Sequence, residues 1–141
     1  MIAETLDLIR AIDPQVFRVM AGAAEFASLP PNKPPPALPA AYVVPLDELA
    51  GAVRAMNITS QNVKAQVGVV IVVGALQDAK GGQAVADLQT ARAAVRGALY
   101  GVEPAADHEP FTFVQGELLR AGGGLVWWQD TFETEFQLRR A

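Results

Sequence analysis

The fold is decided by residues 61–73, which read QNVKAQVGVVIVV. In the first half every second residue is polar, namely Asn62, Lys64 and Gln66. In the second half valines take those places at positions 70 and 72, so both faces become apolar. A period of two is that of a β-strand. The stretch therefore predicts one long strand, open to solvent or a partner on one side of its first half and covered on both sides of its second half.

Helical patterns flank this strand. Apolar residues at helical spacing predict an amphipathic N-terminal helix that ends at Asp13-Pro14, because the residue before proline is pushed out of the helical region. A short strand at 16–20 and a short helix at 21–29 are predicted next. Beyond a turn at 78–82, a long helix that ends near Gly101 is predicted from a regularly spaced stripe: Val85, Leu88, Ala91, Val95 and Leu99.

Further strands complete the predicted sheet. Residues 40–45 are predicted to form a strand near a sheet edge, since prolines flank them, whereas residues 47–56 are predicted to be irregular. Residues 111–114 alternate as a strand, and Gly122-Gly123-Gly124 predicts a turn into a final, half-buried strand. On that strand the core face is predicted to carry Trp128, Phe132, Phe136 and Leu138. Asp130 interrupts this face, which predicts a bulge or an edge position there.

These elements predict a single small α+β domain over residues 1–141, with a mixed or antiparallel sheet backed by two or three helices. Residues 30–39, PPNKPPPALP, predict an extended proline-rich loop. A basic residue followed by PxxP also fits the peptides that SH3-type domains bind, although a stiff connector is the favoured interpretation.

Composition argues against several classes of function. Eleven Lys and Arg against 15 Asp and Glu give a formal charge of -4, which provides no diffuse field for holding a nucleic-acid backbone. The absence of cysteine excludes disulfides and thiol chemistry. The N-terminus lacks the basic-then-apolar order of a secretory signal, and the longest apolar run is too short to span a membrane.

No catalytic constellation stands out. His108 is the only histidine and the serines are Ser28 and Ser60, so a Ser-His triad is not expected. A solvated loop is favoured over a divalent metal site for Glu103, Asp107, His108 and Glu109. Gly81-Gly82 precedes a helix without a phosphate-binding fingerprint. We therefore expect no enzymatic activity, no cofactor and no metal.

The polar face of the final strand offers surface chemistry instead. Glu133 and Glu135 lie two residues apart, where an exposed or pore-facing acidic stripe is favoured over acid/base catalysis. Adjacent Trp127 and Trp128 must point to opposite sides of the strand. Trp127 is therefore expected either to contact a partner or to pack under the loop at 30–39.

The C-terminal half carries a specific resemblance. Residues 124–136, GLVWWQDTFETEF, resemble the closing strand of the tail terminator family of long-tailed bacteriophages. Upstream pieces follow in the family's order and extend the resemblance over most of residues 40–138: Ala41 to Pro45, Gln61 to Val73, Asp78 with Gly81, and Arg96 to Gly101 with Pro104.

The resemblance implies a structural virion protein without an active site. It implies a homo-hexameric ring at the head-proximal end of the tail tube, which ends tube polymerisation and offers a docking surface to head-completion proteins. The partners it implies are the chain itself, the tail tube protein and a head-tail connector or completion protein. DNA would pass through the ring without specific binding. The location implied is the tail and neck of the virion, after assembly in the host cytoplasm, with no membrane involved.

Other functions stay open at this point: another neck or tail-completion protein of related fold, a monomeric adaptor that uses the proline-rich segment, and an enzyme with an unrecognised site. Under the favoured interpretation, residues that face a neighbouring subunit or the channel are expected to include Gln61, Lys64, Gln66, Trp127, Gln129, Glu133, Glu135 and Arg139.

Overall fold

The computed structural model describes residues 1–30, 33–74 and 82–140. Along the chain the elements are α1 (Ile2–Arg10), β1 (Val19–Ala21), α2 (Ala23–Ala27), β2 (Ala40–Ala50), β3 (Arg54–Ala55), β4 (Thr59–Gly74), α3 (Gly82–Leu99), β5 (Thr112–Gly122) and β6 (Leu125–Arg140). The strands form one mixed six-stranded sheet, and the predicted α+β class with backing helices is confirmed.

The long strand predicted at residues 61–73 is β4, and it lies at the centre of the sheet. It pairs antiparallel with β2 on one side and with β6 on the other. The predicted core face is buried throughout: Val63, Ala65, Val67, Val69, Ile71 and Val73. On the opposite face Val70 and Val72 are buried, while Lys64 is exposed. The predicted change from one covered side to two is therefore confirmed.

The strand order is β1-β2-β4-β6-β5, with β3 pairing β4 beyond the end of β2. Parallel β1 pairs only with Ala40 to Tyr42, so further along β2 is itself the sheet edge, and Pro45 lies there as the flanking prolines predict. The prediction that residues 47–56 are irregular is wrong. After a register shift between Pro45 and Glu48, β2 continues to Ala50 and β3 follows. Every residue from 47 to 56 is exposed, so this stretch carries no hydrophobic alternation from which its strands could be predicted.

Helices α1 and α3 cover one face of the sheet. Ile9 of α1 and Val95 of α3 belong to the cluster that includes Phe111, Phe132 and the inward side chains of β4. The helix stripe predicted from Val85 is wrong in its first member, since Val85 is 56% exposed and Ala84 is buried instead. A turn of 3.6 residues aligns position 84 better than 85 with the rest of the stripe. The turn predicted at 78–82 lies outside the described residues except for Gly82, which begins α3.

Helix α2 covers part of the other face. It packs with Tyr42, Val70 and Val72 in a second cluster, in which the Phe26 ring centroid lies 5.4 Å from that of Tyr42. The Gly22 backbone N–H donates to the Glu25 carboxylate at 3.1 Å, which satisfies a free donor at the start of this short helix. The helix predicted at 21–29 is confirmed.

The last two strands form a hairpin. Gly123 and Gly124 have φ values of 61° and 77°, and positive φ at both loop positions is what a two-residue type I′ turn requires. Strand β6 pairs with β4 along its whole length without a register shift and with β5 on its other side. The prediction that Asp130 marks a bulge in β6 or an edge is therefore wrong. An ion pair accounts for its presence inside.

Candidate functional site

The sheet face turned away from α1 and α3 is covered at one end only. Beyond the second cluster it presents polar side chains, and we call this surface the open face: Lys64, Gln66, Gln129, Glu133, Glu135, Gln137 and Arg139. The alternation of β4 and β6 puts them together, because partners directly opposite in an antiparallel pair share a face. Most of the residues predicted to face a neighbour or channel are thus on one surface.

Cross-strand pairing organises the charges and amides of the open face. Lys64 lies opposite Glu135, and Gln66 lies opposite Glu133. The Gln66 side-chain amide donates to the Glu133 carboxylate at 3.4 Å. At the far end the Gln137 amide donates to the Ser60 hydroxyl at 2.6 Å. The surface is therefore polar and of mixed charge, as the rim of a protein interface is.

Gln61 does not join this surface. It pairs with Leu138, which puts both on the face that carries Val63 and Phe136. Its side-chain amide donates to the Gly51 carbonyl at 3.2 Å and ties the end of β2 to β4. The alternation of β4 places Gln61 on the side of the odd-numbered apolar residues and not on the side of Lys64 and Gln66.

Trp127 lies on the same side as the open face but within the second cluster. Its ring centroid is 6.3 Å from that of Phe26, and the side chain is half-buried. Leu38, from the segment 33–39, packs into the same cluster. Of the two sequence-based alternatives for Trp127, packing within the chain accounts for its buried part.

A buried ion pair on the helix side escaped sequence analysis. The Arg92 guanidinium of α3 donates to both carboxylate oxygens of Asp130, with its closest contact at 2.9 Å. The Trp128 indole N–H donates to the same carboxylate at 2.9 Å, and the Arg92 guanidinium lies 4.6 Å from the Trp128 ring centroid. The buried carboxylate is thus satisfied by charge and by hydrogen bonds, which holds α3 onto β6.

Gly116 of β5 completes this cluster. A Cβ built there would lie 2.8 Å from Arg92 Nη2, 2.8 Å from Trp128 Cζ2 and 2.9 Å from Asp130 Oδ1. No side chain fits at that distance, so glycine is required by close approach. A glycine inside an otherwise regular strand was the signal in the sequence that something packs tightly there.

The loop between α3 and β5 is acidic and well held. The His108 ring stacks on Phe136 with centroids 4.7 Å apart, and the Glu109 backbone N–H donates to the Glu135 carbonyl at 2.8 Å. Beside it is a cavity of about 880 Å³ whose carboxylates are those of Asp107, Glu109 and Glu135, with Arg139 also in its wall. In the described parts of the chain, no three side chains are grouped so that they could hold a metal ion.

The proline-rich segment is partly built into the fold. Pro35 is buried, and the Pro39 carbonyl accepts a hydrogen bond from the Arg18 backbone N–H at 2.8 Å. A peptide that an SH3-type domain binds must present its prolines to the partner, which these contacts oppose. Residues 31 and 32 of the predicted loop lie outside the described residues. No helix within the described ranges is long and apolar enough to cross a membrane.

Comparison with known protein families identifies one matching family. The family model described as phage tail terminator protein matches residues 7–141. The chain belongs to the phage tail terminator family. The resemblance predicted from the sequence is confirmed, and with it a structural role in the tail and neck region of the virion.

A solved structure has a similar fold. A chain of the virion of a native gene transfer agent particle is 18% identical, aligned over 95% of this chain and 84% of that chain, with a TM-score of 0.51. At this identity the likeness extends to the fold alone. No curated protein matches the tail terminator chain described here.

Proposed function

We propose that this tail terminator, as a single domain over residues 1–141, forms a hexameric ring at the head-proximal end of the tail tube. The ring ends tube polymerisation and provides the surface on which head-completion proteins dock. The observation that carries the proposal is the family match over residues 7–141, which spans nearly the whole chain. The role needs no catalysis and no cofactor.

The open face supports an assembly role. A ring subunit contacts different neighbours on different sides, so it needs polar surfaces of mixed charge that remain soluble before assembly. Lys64 and Glu135 lie side by side on this face, and Gln66 and Gln129 add amides. We assign the face to a neighbouring subunit or the channel. A net charge of -4 fits a channel through which DNA slides without being held.

The test is removal of the protein from the phage that encodes it. With the gene interrupted by an early stop codon, we expect tails of uncontrolled length that do not join heads, measured as a length distribution by negative-stain microscopy. Supplying the intact chain in trans should restore a narrow distribution. Tails of normal length, joined to heads without the protein, would refute the proposal.

A second arm tests the open face with matched variants. The double substitution Glu133→Lys and Glu135→Lys reverses charge on this surface, whereas Asp7→Lys with Asp13→Lys makes the same change in net charge on the exposed surface of α1 and the turn that follows it. We expect only the first pair to broaden tail length or block joining, with both variants folded by circular dichroism. Equal behaviour of the two pairs would remove the open face from the functional surface.

A further inference from the structure

The sheet extends past its own core at one end. We call this extension the tip and define it as residues 49–60 and 137–140. Nearly all of these residues are exposed, and the buried clusters contain no residue from them. From Val63 to Thr59 the strand rises about 14 Å at 3.4 Å per residue. The tip therefore projects beyond the last core residue of β4 and leaves its side chains open to a second molecule.

The tip combines positive charge with exposed apolar side chains. Its charged residues are Arg54, Arg139 and Arg140, and it contains no Asp or Glu. Its exposed apolar side chains are Leu49, Val53, Met56 and Leu138, with Met56 98% exposed. In the described part of the chain, none of the tip arginines forms an ion pair. Arginine beside exposed apolar groups is typical of a protein interface.

The acidic cavity has the complementary character. Asp107, Glu109 and Glu135 give it three carboxylates against the single guanidinium of Arg139. The loop that forms its wall is fixed before any partner arrives, because Glu109 is bonded to β6 through its backbone N–H and its carbonyl accepts from the Thr134 hydroxyl. A preformed acidic wall costs little conformational entropy when a basic segment binds.

We propose that the tip of one copy docks into the acidic cavity of the next copy, with Arg54 and Arg140 pairing with the carboxylates of Asp107, Glu109 and Glu135. A closed ring of identical subunits requires two surfaces that fit each other. Here one is the exposed end of the tip with Arg54 and Arg140, and the other is the acidic cavity, whose wall includes the tip residues Gln137 and Arg139. Neither Arg54 nor Arg140 lines this cavity or forms an ion pair in its own copy, although Arg54 borders a smaller pocket that Glu135 also lines. Arg54 is in register with Ser60 and Arg140 with Thr59, so the two guanidiniums lie on opposite faces of the tip, and a tip that enters a cavity presents one to each wall. The inference rests on the proposed ring and names its contact.

Charge reversal tests the pairing. Arg54→Glu with Arg140→Glu reverses the tip, and Glu109→Arg with Glu135→Arg reverses the cavity. Asp107 is left unchanged because its φ of 64° suits Asp better than a long side chain. Each double variant should lower the amount of chain incorporated per tail at least about tenfold, whereas the quadruple variant should recover most of it, since every copy then carries both reversed surfaces. Arg18→Glu with Lys33→Glu is the matched control and should incorporate normally.

Cysteine cross-linking tests proximity without altering charge. The chain has no cysteine of its own, so Met56→Cys and Ala106→Cys introduce the only thiols. In purified tails under oxidising conditions, the pair should give a ladder of covalent oligomers up to the full ring on a denaturing gel. Either single substitution should give no ladder. This arm decides the matter if the charge-reversed chains fail to fold.

The outcomes separate this inference from the proposed function. Rescue by the quadruple variant, together with the ladder, supports the contact. A visible ring without a ladder and without any effect of charge reversal overturns the contact and leaves the proposed function standing. Loss of incorporation without rescue and without a ladder assigns the tip to another tail protein and also overturns it. Absence of the chain from purified tails refutes both.

Discussion

The two ends of the β4–β6 pair share one hydrogen-bond ladder and have opposite surroundings. At one end Val72 lies opposite Trp127, with α2 above and α3 below, whereas at the other end Ser60 lies opposite Arg139 in the uncovered tip. The backbone pairing is uninterrupted between them. The covered end therefore supplies the burial that stabilises the fold, and the uncovered end can vary its surface chemistry at little cost to stability.

The largest loss of stability is expected from a charge placed in the covered half of β4. Val69→Asp buries a carboxylate directly opposite Asp130, so desolvation and like-charge repulsion add, and we expect a loss above about 5 kcal/mol. Soluble yield and circular dichroism measure it. Lys64→Ala, on the same strand but exposed, should leave both unchanged. Similar damage from the two substitutions would mean that the two halves of β4 do not differ in the way described.

The next largest effect is expected at the ion pair. Arg92→Ala leaves the Asp130 carboxylate, whose side chain is 2% exposed, without its cation, and should lower the free energy of unfolding by about 3–5 kcal/mol. Arg92→Lys should recover only part of this, since an ammonium cannot bond both carboxylate oxygens in the same fork. Chemical denaturation measures all three proteins. A loss below about 0.5 kcal/mol for Arg92→Ala would contradict the assignment.

A smaller effect is expected where coverage ends. Trp127→Ala removes a half-buried ring from contact with Phe26 and should cost about 2 kcal/mol, less than full burial would give. Gln129→Ala, two residues along the same face, should cost much less because it removes little apolar packing. Thermal melts compare them. Equal shifts in Tm would mean that the second cluster does not stabilise this end of the sheet.

The smallest effect appears only at alkaline pH. Burial raises the pKa of Tyr42 above its ordinary 10.0, and the nearby Glu25 carboxylate raises it further. Because the unfolded chain ionises this phenol first, the stabilising contribution is complete below about pH 10 and is lost as pH rises through the higher folded pKa. The denaturant midpoint of the native protein should therefore fall as pH rises above about 10. In Tyr42→Phe, which has no phenol to ionise, this fall should be smaller. An unchanged slope would contradict this.

Periodicity predicted the parts of the fold that bury an apolar face. β4, α1 and the closing strand follow directly from alternation or helical spacing in residues such as Val67, Ile9 and Phe132. The second half of β2 could not be predicted in this way, because strand pairing without burial leaves no hydrophobic pattern. Asp130 was misread for a different reason: its partner Arg92 lies 38 residues away in sequence, and local patterns contain no information on that distance.

More of the open face could be predicted from the sequence than of the tip or the acidic cavity. Alternation predicted which side of its own strand carries Lys64 and which side carries Glu133 and Glu135. The β4–β6 pairing, which the sequence did not predict, brings the three together on the open face. The tip and the acidic cavity were missed because each is assembled from separate segments. Arg54 and Arg140 come to the same end of the sheet only because β3 and β6 both pair with β4, and Glu109 comes beside Glu135 only because its loop folds back on β6.

The unbroken β4–β6 ladder has a mechanical consequence. Both strands are 16 residues long and pair from Thr59–Arg140 to Gly74–Leu125 without a shift. Hydrogen bonds in an antiparallel pair lie across the strands, so a force along the strand axis loads all of them at once in shear, whereas a force at right angles opens them one after another. The subunit is therefore stiffest along β4 and easiest to peel at β5, where two register shifts interrupt the pairing.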